Sequence, residues 1–244
     1  PDPASLSGDP TMPSVFVLPF AAALVAGGFA AAVLRQSLGG PRPYHVVWGA
    51  ALGLFAVAAV AEGIAGVWGW SPVVYRVYYL CGGLLAVGWL GAGSLLLVFP
   101  RRLGPVAAWV MLGLTIASAV ATAVAPLDVA LLHEAEPGRG TIGVPASVLA
   151  PITNTLGLAA LVGVAAASGW AAWRHGAPPS RILGVLAIGL GALVAGVVHG
   201  LLGQVTGHHE LAPVGELVGV VLMFTGYAIV EARIRSAVPS HSAA

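Results

Sequence analysis

Glu62 and His199 each sit inside a long apolar run, in a chain that carries little charge elsewhere. An ionisable side chain held in hydrocarbon is costly, so it needs a partner or a task. Arg76, Asn154 and Glu216 interrupt apolar runs in the same way. A carboxylate beside an imidazole titrates near neutrality and can pass a proton, so His199 facing Glu62 or Glu216 would make a relay. Arg76 would hold an anionic group or tune the carboxyl of Glu62. Asn154, the only asparagine, would offer its amide to a ligand or to a neighbouring helix. Tyr75, Tyr78 and Tyr79 surround Arg76 and would cap its guanidinium, line a pocket or mark a membrane boundary. Each residue also has a plainer reading: a neutralised Glu62–Arg76 pair joining two helices, and packing hydrogen bonds from His199 and Asn154.

The elements that must position these residues follow from composition. Apolar residues make up 58% of the 244-residue chain and charged residues 8%. Soluble domains carry roughly a quarter charged residues, and a chain this apolar has too little polar surface to face water. A spanning helix needs about 20 apolar residues, and seven runs qualify, at roughly 13–35, 45–68, 73–99, 104–125, 146–172, 181–204 and 212–232. Turn chemistry separates them: GGPRP, GWSP, FPRRLGP, WRHGAPPSR, TGHHELAP, and a long connection at about 126–145. The fold class is therefore all-α, a single seven-helix transmembrane bundle over residues 13–235. Residues 1–12 read as a disordered extracytoplasmic tail and 236–244 as a disordered cytoplasmic tail. No internal repeat is visible, which weakens an inverted-repeat transporter fold.

Arginine sets the expected orientation. Arg35, Arg42, Arg101, Arg102, Arg174, Arg181, Arg233 and Arg235 all fall at one end of a seven-helix chain, and only Arg76 and Arg139 at the other. Positive charge stays inside, so the N-terminus is expected outside and the C-terminus in the cytoplasm. With that reference, Glu62, Arg76, Asn154, His199 and Glu216 each lie one or two turns from the outer boundary of their own helix. They form one polar slab in the outer third of the bilayer, contributed by five helices.

Several chemistries are excluded or weak. The chain has no lysine, so no side-chain Schiff base can form and a covalent retinal pocket is ruled out. One cysteine, Cys81, excludes an intrachain disulfide and a cysteine metal cage. Arg101–Arg102 is the only basic pair, far short of a nucleic-acid footprint. His133, with Glu134, and His208, His209 and Glu210 are weak metal candidates on outer loops, because adjacent histidines point apart. Buried bis-histidine haem fits poorly, since His199 is deep and His45 lies at the opposite face. Gly91–Ser94 and His199–Gly203 look faintly like rhomboid protease motifs, but Ser94 and His199 fall more than about 15 Å apart along the membrane normal.

In topology the chain is similar to the microbial rhodopsins: seven helices, an outside N-terminus, short loops, Arg76 in the outer part of helix 3 and Glu216 in the outer part of helix 7. The stretch LVGVVLMFTGYAIV of the last helix lacks the retinal lysine, and helix 3 has Tyr79 and Leu80 where carboxylates would stand. The resemblance is one of topology, not family membership.

The sequence thus points to a multi-pass protein of a bacterial cytoplasmic membrane; its all-arginine cations and heavy Ala, Gly, Val and Leu usage suit a GC-rich bacterial gene. An outward-facing pocket of Glu62, Arg76, Tyr79, Asn154, His199 and Glu216 would bind or transport a small ligand, with proton linkage. No cofactor is expected and an enzymatic role is disfavoured. The other readings are a non-catalytic sensor or structural subunit partnered with another membrane protein and, last, an outer-face metal protein or membrane enzyme.

Overall fold

A computed structural model describes residues 12–40, 42–133, 140–197 and 212–237. The tails expected at the two ends lie largely outside these residues. The described chain is helical, with seven helices long and apolar enough to cross a membrane. They are α1 (Met12–Leu38), α2 (Pro43–Trp68), α3 (Pro72–Val98), α4 (Leu103–Val124), α5 (Ala146–Arg174), α6 (Pro179–Val197) and α7 (Ala212–Ala237).

The breaks are local and physical. Gly69 ends α2 at φ 84°, a backbone region that a side chain disfavours. Ser71 then caps α3 by accepting from the Val74 N–H, with Pro72 in the first helical turn. Gly176, at φ 65°, and Pro178–Pro179 separate α5 from α6 in the same manner.

Helices consecutive in the chain run antiparallel, as short connections require. Gly49 of α2 lies against Leu34 of α1, Gly82 of α3 against Ala58 of α2, and Gly191 of α6 against Gly219 of α7. Helices α1, α2, α3, α5, α6 and α7 form a closed ring, and α7 packs back on α1. Helix α4 lies outside that ring, docked mainly on α3. The ring encloses an apolar core of Phe29, Val33, Leu52, Leu90, Leu161, Val220 and Met223. The outward surface is also apolar: Leu24, Trp109, Val124, Leu156 and Trp170 are exposed. A soluble fold hides such residues, whereas lipid accepts them.

Two features differ from the expected plain hairpins. Helix α3 contains a π-helical stretch, Tyr79–Ala86, between two α-helical parts. The long connection after α4 is folded: Asp128 caps a short turn, Val129–Leu132, and Leu127 bridges Ile142. Leu132, Thr141 and Ile142 are buried there against Tyr75, Ala121, Ala125 and Ala146.

Candidate functional site

Glu216 lies one turn inside α7 and is buried, and Glu62 lies in the last two turns of α2 and is half-buried. Helix α1 sets their relative height. The ring of Phe20 fills the notch at Gly63, the neighbour of Glu62. Leu217, the neighbour of Glu216, packs on Ala22, Ala23 and Ala59. The two carboxyl-bearing turns therefore flank one stretch of α1, at one level of the bundle. Glycine at 63 is what lets the aromatic ring in; a Cβ there would stand 2.7 Å from it.

Arg76 reaches the end of α4. Its guanidinium donates from Nη1 to the Thr122 carbonyl and from Nη2 to the Ala125 carbonyl, the latter at 2.9 Å. Helix α4 is stopped by Pro126, so its last carbonyls have no helical partner. A planar, permanently charged fork satisfies two of them and opposes the negative end of the helix dipole. Beside it, Tyr75 is buried and its side chain hydrogen-bonds that of Thr141 in the folded connection. Trp70, Tyr75, Tyr78 and Tyr79 form a contiguous aromatic group, with Tyr79 opening the π stretch.

Asn154, two turns into α5, donates from Nδ2 to the Gly83 carbonyl at 2.9 Å. Gly83 lies inside the π stretch, where the usual helical pairing is displaced and a carbonyl is open to an outside donor. The Asn154 Oδ1 is buried with no hydrogen-bond partner among the described residues.

His199 lies outside the described residues, as do Glu134, His208, His209 and Glu210. His133 is described, exposed at the end of the short turn after α4. Among the described residues no group of three or more His, Cys, Asp or Glu could hold a metal ion. Two surface grooves, ≈ 580 Å³ between α4 and α5 and ≈ 440 Å³ between α1 and α2, are lined by apolar side chains. The second runs past Phe20 and Val60, beside the level of Glu62.

The structure thus places Glu62 and Glu216 at one level around α1, and ties Arg76 to the end of α4 and Asn154 to the π stretch of α3 that Tyr79 opens. Sequence reasoning missed the acceptors of Arg76 and Asn154. Both are main-chain carbonyls, and the one available signal was Pro126, which strands the carbonyls of α4.

Fold and site together define a bundle of seven membrane-crossing-length helices with ionisable groups near one end. Comparison with protein families, curated proteins and solved structures finds no match.

Proposed function

We propose that the chain is a multi-pass integral membrane protein of a bacterial cytoplasmic membrane, with its N-terminus outside. In this reading it takes a small ligand or a proton into a polar layer near the outer face. The observation that carries this is the placement of Glu62 and Glu216 at one level of an otherwise apolar bundle. Ionisable groups inside apolar helices are costly and mark candidate sites. His199 completes the set as the partner that exchanges a proton or orients the ligand. In this reading Arg76, which also donates to the end of α4, holds an anionic group or tunes the carboxyl of Glu62.

The test is a flux measurement in sealed proteoliposomes with a pH-sensitive dye inside. The wild type should collapse an imposed pH gradient, while Glu62→Gln and Glu216→Gln should slow this at least tenfold with unchanged melting temperature. Binding of a small ligand, should one be found, should fail in the same variants. A second reading, a sensor or structural subunit partnered with another membrane protein, is supported by Arg76 and Asn154, which both tie neighbouring helices through main-chain carbonyls. Variants that lower only the melting temperature would favour it.

A further inference from the structure

Where α3, α4 and α5 meet, three buried side-chain oxygens have no hydrogen-bond partner among the described residues. They are Ser118 Oγ and Thr122 Oγ1 on α4 and Asn154 Oδ1 on α5. Ser118 is 0% exposed and Thr122 2%. A serine or threonine inside a helix commonly turns its hydroxyl to the carbonyl one turn back. Ser94, Thr115 and Thr153, on the same three helices, do so. Ser118 and Thr122 do not. The Asn154 amide is oriented by its Nδ2 bond to the Gly83 carbonyl, which leaves Oδ1 as an acceptor.

Contacts on either side bring these oxygens to one junction. On one side, Met111 of α4 and the Thr153 carbonyl of α5 both lie against Gly88 of α3. On the other, Ala121 of α4 and Leu149 of α5 pack with Tyr75 and Tyr79 of α3. Ser118 lies between Met111 and Ala121, and Gly83, which Asn154 reaches, lies between Tyr79 and Gly88. Met111, Ser118 and Thr122 are two turns and one turn apart, so they share the face of α4 that docks on α3. Ser118 and Asn154 therefore flank the π stretch Tyr79–Ala86 from two neighbouring helices. Such stretches recur at functional sites.

The chemistry of the three oxygens selects what they bind. Asn154 Oδ1 needs a donor, and a hydroxyl takes either role. Arg76, bonded to the Thr122 carbonyl, is the only charged residue within 72–86, 111–124 and 146–158. A cation would meet its guanidinium, and an anion would meet Asn154 Oδ1. Water is neutral and both donates and accepts. We propose that Ser118, Thr122 and Asn154 hold bound water against the π stretch, a buried hydration site that joins α3, α4 and α5. Water donates to Asn154 Oδ1, and the two hydroxyls donate to it or accept from it. At about three hydrogen bonds per molecule, these groups support roughly one or two waters. The surface groove between α4 and α5 is apolar, so water arrives from the end of α4, past Arg76 and Thr122. The site stands on its own contacts and does not rest on ligand binding at Glu62 and Glu216.

NMR of the full chain in lipid nanodiscs tests it. Asn154 is the only asparagine, so isotope labelling of asparagine alone gives a single side-chain amide group to observe. That amide should receive magnetisation from water through space, with the sign of a molecule that stays bound. The double variant Ser118→Ala, Thr122→Val removes both hydroxyls at nearly constant shape and should cut this transfer at least about threefold. An amide that receives magnetisation from aliphatic protons alone would overturn the site. So would a transfer that the double variant reduces by less than that. If the double variant does not fold, Ser118→Ala takes its place under the same threshold, and the wild-type measurement still decides whether water is bound.

Discussion

Arg76 and Asn154 show how one side chain can serve a whole helix. Replacing Arg76 with Met removes both donors from the end of α4 and should cost about 2–3 kcal/mol, since two carbonyls lose charged partners. Arg76→Lys should recover only part of this, because an ammonium cannot span two carbonyls as a planar fork does. Thermal melting in detergent checks both. A Met variant that melts like the wild type would remove the capping role. Asn154→Ala loses one interhelical hydrogen bond and should cost about 1 kcal/mol, the usual scale for such bonds among apolar helices. At this scale the sequence was half legible. That Arg76 and Asn154 needed polar partners followed from the apolar residues around them. Which partners they took did not, because every residue carries a carbonyl and so the acceptor leaves no mark on composition.

Among the helices, the closest approaches are made by glycine. Gly91 of α3 and Gly157 of α5 meet backbone to backbone, and a Cβ on either would strike main-chain atoms. Gly184 and Gly226 do the same for α6 and α7. Main chain cannot step aside as a flexible side chain can, so Gly157→Val should separate α3 from α5 and cost on the order of 3 kcal/mol or more. Gly113 on α4 has open space around it, so Gly113→Ala should leave the melting temperature unchanged or raise it slightly. Equal losses at the two positions would refute this account of the contacts. The seven helices were legible because a length near 20 apolar residues is a crude and robust signal. The π stretch was not, since YLCGGLLA is apolar throughout and contains no residue that separates π from α geometry. Nor did the sequence say which glycines matter, because 34 of them offer many accidental pairs.

For the molecule as a whole, the arginine distribution predicts an orientation that labelling can check. In a Cys81→Ala background, His133→Cys should react with a membrane-impermeant maleimide on intact cells, and Pro100→Cys only after lysis. Both parent residues are exposed, at opposite ends of the bundle. The reverse pattern would overturn the orientation and turn the Glu62–Glu216 layer toward the cytoplasm. The ring order was beyond the sequence, since chain order suggests that α4 sits between α3 and α5, whereas α3 and α5 meet directly. This has a consequence for biosynthesis. The groove of α3 that receives Gly157 must wait for α5, about 50 residues later, which is several seconds at ribosomal speed. During that interval α4 can engage α3 through the Arg76 carbonyl bonds, the Trp89–Thr115 hydrogen bond and the packing of Met111 on Gly88. Met111 sits at the same Gly88 that Gly157 approaches, so α5 has to close onto a groove whose edge α4 already occupies.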